Sequence, residues 1–134
     1  MKKLIFSALL ITALFTACDP GDDSNLVTPG NQQALGQWVV TYFWDKDKDE
    51  TSDFNGYVFD FQTDGILVAS KGTSTFNGTW AKNDSSNKLI LNIHGAYPLD
   101  EMTDDWLILE MNGTAIKLKD DNTEHLEELH LKKQ

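Results

Sequence analysis

From residue 37 onward, apolar and polar side chains alternate with a period of two, and turn residues interrupt the alternation at short intervals. That is the pattern of half-buried strands. It is cleanest over 56–62, where Tyr57, Phe59 and Phe61 fall on one face and Val58, Asp60 and Gln62 on the other. The spacing predicts strands over 37–44, 56–62, 66–70, 75–81, 88–94, 106–111, 114–119 and 126–132. Asp64-Gly65 and Asn112-Gly113 read as two-residue hairpin turns, because such pairs tolerate the positive φ that these turns require. With those turns, the inward set includes Trp38, Val40 and Tyr42 in the first strand, and Ile66 and Val68 in the third.

Residues 122–132 hold Glu124, Glu127 and Glu128, which favour a helix. Leu129-His130-Leu131 alternates, however, and the strand over 114–119 needs a partner, so a strand is expected there. Eight short strands without helical crossovers form an antiparallel meander. Such a sheet has two open edges unless its first and last strands pair, and closure removes both. The expected fold is all-β: an eight-stranded antiparallel up-and-down meander closed into a barrel, with 37–44 paired to 126–132. The inward side chains are bulky and many are aromatic. An eight-stranded interior is just wide enough to be filled by them, so little central space is expected.

The N-terminal stretch breaks this pattern. Lys2 and Lys3 precede an apolar run from Leu4 to Phe15, followed by Thr16-Ala17-Cys18. The run is about a dozen residues, shorter than the ~20 that span a bilayer, and reads as an export signal. Small residues directly before a cysteine look like a lipobox. Residues 1–17 are therefore expected to be removed, and Cys18 to carry the lipid anchor; two or more acyl chains anchor stably. Residues 18–33 contain Pro20, Gly21, Pro29 and Gly30 and read as a flexible tether. Its acidic cluster, Asp19, Asp22 and Asp23, resembles either a signal for inner-membrane retention or one for export to the surface, and otherwise reads as a solvated tether. The domain is expected over 34–133.

Composition narrows the function. The chain of 134 residues has room for one domain, and it carries a net charge of −10 with Lys as its only strong cation. Nucleic acid is not an expected partner, because phosphate neutralisation needs clustered cations and base readout favours the bidentate Arg fork. A single Cys excludes an internal disulfide and a cysteine-rich zinc site. Four Trp, seven Phe and three Tyr suffice to build a core.

Gly36-Gln37-Trp38 is the Gly-x-Trp pattern that opens lipocalins. It is followed by an acidic loop, by Phe-Asn-Gly-Tyr-Val-Phe-Asp-Phe over 54–61, by Asp64-Gly65, by Phe76-Asn77-Gly78-Thr79-Trp80 and by Asp104-Asp105-Trp106. In this order the motifs resemble a small lipocalin-like lipoprotein family of Bacteroidota, across residues 34–133. The resemblance implies a lipocalin-like barrel lipid-anchored to the outer membrane and exposed at the cell surface, where an acidic start to the tether directs export. Larger lipocalins pack a cationic residue, usually Arg, across the Gly-x-Trp indole. Without Arg, Lys132 or Lys133 is left to stand in by a cation–π contact. The flanking C-terminal helix of those proteins is missing, which weakens the case for a carrier.

Catalytic chemistry is not expected. The chain has no Gly-x-Ser-x-Gly elbow, P-loop or His-Glu-x-x-His. His125 and His130 are five apart, on opposite faces of one strand, and make no metal pair. Residues 45–53 place Asp at alternate positions, but Glu50 and Gly56 stand where an EF-hand needs Gly and Glu, so no metal or other cofactor is expected. The candidate binding residues are Trp44, Asp45, Asp47 and Asp49: an indole at a strand end can stack on a sugar ring while nearby carboxylates accept hydroxyl protons. The plainer reading of Trp44 is that it caps the open end of the barrel. The expected function is that of a lipid-anchored envelope binding module, taking a small molecule or glycan at the barrel end. The alternative is a non-catalytic structural or interaction partner of a cell-surface assembly.

Overall fold

The computed structural model describes residues 29–134. The leader, Cys18 and the tether as far as residue 28 lie outside the described residues. Pro29–Ala34 forms a 3-10 turn that leads into the first strand. Nine strands follow: β1 (Gly36–Asp45), β2 (Lys48–Asp49), β3 (Val58–Phe61), β4 (Ile66–Lys71), β5 (Ser74–Asn83), β6 (Lys88–Ile93), β7 (Asp104–Met111), β8 (Ala115–Lys119) and β9 (Glu127–Lys133). Eight of them form an antiparallel up-and-down meander closed by pairing β1 with β9, and β2 is a two-residue addition to β1. Residues 127–133 are strand, and Val40 lies opposite Leu131 and Phe43 opposite Leu129. Among the described residues no helix is long and apolar enough to cross a membrane.

The interior is packed with side chains. Trp38, Phe43, Phe59, Phe61, Leu89, Trp106, Ile116 and Leu118 are fully buried in one cluster. Phe54 in the 3-10 turn Thr51–Phe54 covers Phe43, ring centres 4.9 Å apart, and Phe43 meets Trp106 edge-on at 6.4 Å. Aromatic pairs in these tilted and edge geometries add to the area they bury.

The inward set differs from expectation in two strands, each for a local reason. In β4, Leu67 and Ala69 are buried and Ile66 is exposed. Gln62 N donates to Ile66 O at 2.8 Å, so three residues, Thr63, Asp64 and Gly65, make the turn instead of two. Asp64 and Gly65 both take positive φ, and the extra residue shifts the register by one, which exchanges the faces of the whole strand. In β1, a bulge between Val40 and Tyr42 sets Tyr42 outward and Phe43 inward.

The turns sort to two ends. At one lie the chain entry before Gly36, the turns 62–65, 84–87 and 112–114, and the last residues. At the other lie 46–57, 72–73, 94–103 and 120–126. The first end is closed by compact turns and the second carries the three longest connections.

Candidate functional site at the acidic end

At the chain-entry end, the Trp38 indole N–H donates to Ala34 O at 2.7 Å, and Lys133 Nζ lies 4.8 Å over the ring while also donating to Leu35 O. Lys133 therefore takes the place expected for a cation on the Gly-x-Trp indole. Gly36 has φ 106°, and a Cβ there would meet Lys133 Nζ at 2.8 Å, so glycine serves both the backbone and the cation.

The far end is different. Asp45, Asp104 and Glu127 each sit two residues from a buried core residue of the same strand, Phe43, Trp106 and Leu129, and Asp120, just past the end of β8, sits two residues from Leu118. The inward-facing parity thus ends, on four strands, in a carboxylate. Carboxylate oxygens of Asp104, Asp120 and Glu127 lie within 4.8 Å of one another. Asp120 is buried and accepts from Asn122 N at 3.0 Å. Oδ1 of Asp45 is buried with no hydrogen-bond partner among the described residues, and Lys46 Nζ is 3.7 Å from it.

Crowding like charges out of water favours their protonated forms. Burial, then Asp45 and Asp120, push the Glu127 carboxyl up to about 7. Burial also raises Asp104, with Asp120 adding to it, and raises Glu101, with Asp100 and Asp45 adding. Such a cluster can share a proton, and its oxygens are the hard donor type that suits alkaline-earth cations, though three carboxylates fall short of the six or more ligands that calcium takes.

The loops around the cluster are tied down. Thr51 Oγ1 accepts from Phe43 N at 2.9 Å, standing in for a neighbouring strand. The Tyr97 hydroxyl donates to Asp53 and lies 3.4 Å from Glu50 Oε2, which joins loop 94–103 to loop 46–57. The Asp53 carboxylate beside it holds the Tyr97 phenol well above its usual range.

The four candidate binding residues do not form one site. Asp45 joins the inward cluster. Asp47 is exposed at the hairpin tip. Asp49 Oδ1 accepts from Thr51 N at 3.0 Å, and the Thr51 hydroxyl, then this backbone bond, lower its pKa. Trp44 points outward beside the buried Phe43, so it does not cap the mouth; Phe54 does that. In register, Trp44 lies between Asp49 on β2 and Glu128 on β9. The indole donates to Lys46 O at 3.1 Å. Asp104, Asp120 and Glu127 were missed by sequence reasoning, although extending each strand's inward parity by one step would have pointed to all three.

Neither a protein-family model nor a curated protein matches the chain. Among solved structures, a DUF4847 family protein from Bacteroides vulgatus has the same fold, with a TM-score of 0.53 and 13% identity over 78% of this chain and 96% of that one. At this identity the likeness concerns the fold alone.

Proposed function

We propose that the chain is a lipid-anchored envelope protein of a small lipocalin-like lipoprotein family of Bacteroidota, and that its barrel is a non-catalytic binding module. It takes a small molecule or glycan at the barrel end, not in the interior. The carrying observation is the packed interior: Trp38, Phe43, Phe59, Phe61 and Trp106 occupy the space where a carrier barrel holds its ligand. The placement of the polar groups agrees. The tether leads into the barrel at the Trp38 end, so a lipid on Cys18 would leave the acidic end facing away from the anchor.

Two measurements test this. Cys18→Ser should abolish acylation and release the protein from the membrane fraction; a variant that partitions like wild type would refute the anchor. Titration with a fluorescent fatty acid should show no saturable binding, whereas a thermal-shift panel of small polar molecules and oligosaccharides should give at least one stabilising ligand. Stoichiometric uptake of the fatty acid would restore the carrier. A panel without any hit would favour the structural role.

A further inference from the structure

We infer that the ligand is a neutral glycan and that it lies on the outer wall beside the acidic end, on a platform made by Trp44 and Tyr42. This rests on the binding-module reading above and names its ligand class. Trp44 and Tyr42 are both outward on β1, two residues apart, or about 7 Å along a strand. The bulge lies before Tyr42, so the pair keeps regular strand spacing. Without that bulge Tyr42 and Trp44 would both continue the inward parity of Trp38 and Val40; the bulge is what turns the pair to the outer wall.

Each ring is held in place. The Trp44 indole N–H is fixed on Lys46 O at 3.1 Å. The Tyr42 ring packs at 4.9 Å on the His130 imidazole, whose Nε2 is 2.6 Å from Glu128 Oε1. Glu128 is also the direct cross-strand neighbour of Trp44, and Asp49 is its neighbour on the other side. A sugar ring stacked on the indole would find carboxylate acceptors on both flanks. Ordered aromatic side chains flanked by polar groups lose little entropy on binding.

Charge selects the ligand further. This wall carries charges of both signs: Glu128 is hydrogen-bonded to His130, and the next strand pairs Lys117 with Glu110 at 2.7 Å. Its outward lysines, Lys117, Lys119 and Lys132, are interleaved with Glu110 and Glu128 across the strands, and the chain's net charge of −10 repels an anionic polymer. Hydroxyl groups, which both donate and accept, fit such a surface.

The test uses the full-length lipoprotein in detergent, with isothermal titration calorimetry and tryptophan emission. The probes are neutral hexasaccharides of glucose, mannose and xylose, with hexagalacturonate as the anionic comparison. At least one neutral hexasaccharide should bind saturably. Trp44→Ala should weaken it by about tenfold or more, as central aromatic anchors do, and Tyr42→Ala by less. Trp44→Phe should keep part of the affinity and guards against loss of the fold. Thr75→Ala on β5 should leave binding unchanged. Undiminished binding by a folded Trp44→Ala variant would overturn the platform while leaving the module. Hexagalacturonate binding as tightly as the neutral sugars would overturn the ligand class. Hits from the small-molecule panel with no hexasaccharide binding would sink the glycan alone; no binding of any probe would sink both readings.

Discussion

Trp38 and Trp106 each donate an indole N–H to the carbonyl four residues upstream, at 2.7 Å to Ala34 and 3.0 Å to Met102, and each of those carbonyls ends a short 3-10 turn. The two turns lie at opposite ends of the barrel, before β1 and before β7. A buried indole needs an acceptor, and the turn supplies one while plugging the barrel with Ala34 or Met102, both fully buried. The surroundings then diverge. Beside Trp38, Lys133 is paired with the Leu35 carbonyl. The end that Trp106 serves gathers Asp45, Asp104, Asp120 and Glu127, with raised pKa values at Asp104 and Glu127. One end is built from satisfied groups, and the other keeps groups that oppose folding when charged. Polar groups that cost stability are the ones to examine for function.

The equivalence of the two plugs is the strongest claim to break. Trp38→Ala and Trp106→Ala should each cost about 3–5 kcal/mol, the usual range for truncating a fully buried aromatic. Urea unfolding midpoints measure this. Trp38→Phe and Trp106→Phe should each cost less, dominated by the buried carbonyl left without its donor, about 1–3 kcal/mol. A large loss at one site and a small one at the other would show that only one turn is a plug.

How far these ends were legible in the sequence follows from the same residues. The strands, the closure of β1 on β9 and the cation over Trp38 were readable, because they depend on alternation and on which residue types remain. The faces of β4 and of the second half of β1 were not. They depend on whether a turn has two residues or three, and on one extra residue at a bulge, and Asp64-Gly65 serves both turn lengths. The acidic cluster lay one step beyond the apolar parity of four strands. The sequence reading placed Asp45 instead with Trp44, Asp47 and Asp49, its neighbours in the chain, whereas the strand alternation separates Asp45 from Trp44.

A smaller effect sharpens the chain-entry end. Lys133→Met keeps the aliphatic length but removes the charge over Trp38 and the donor to Leu35. The expected cost is about 1–2 kcal/mol. Lys133→Arg should recover most of it, because the guanidinium stacks on an indole at least as well. Both are read from the urea midpoint. An unchanged midpoint for Lys133→Met would mean that the Trp38–Ala34 hydrogen bond and packing alone hold this end.

The smallest expected effect belongs to the acidic end and appears as a slope against pH. Glu127 on β9 faces Asp45 from β1, Asp104 from β7 and Asp120 from the loop after β8, and the cation Lys46 opposes them. Its folded pKa is about 7 against an ordinary 4.5. Between those values the folded state holds a proton that the unfolded state has released. Stability must therefore fall as pH rises from about 4.5 to about 7, and level off above. Carboxylates with lowered pKa, such as Asp105 beside Lys88 and Asp49 beside Thr51, act in the opposite sense at pH values below their ordinary 3.8, so the two windows separate. Glu127→Gln cannot ionise. It should flatten the decline of the thermal midpoint between pH 4.5 and 7 and make the variant more stable than wild type at pH 8, with little difference at pH 4.5. Glu124→Gln, in the exposed loop nearby, should leave the profile as it is. A wild-type midpoint that rises steadily through this window, or a Glu127→Gln profile parallel to wild type, would show that the four carboxylates do not share a proton.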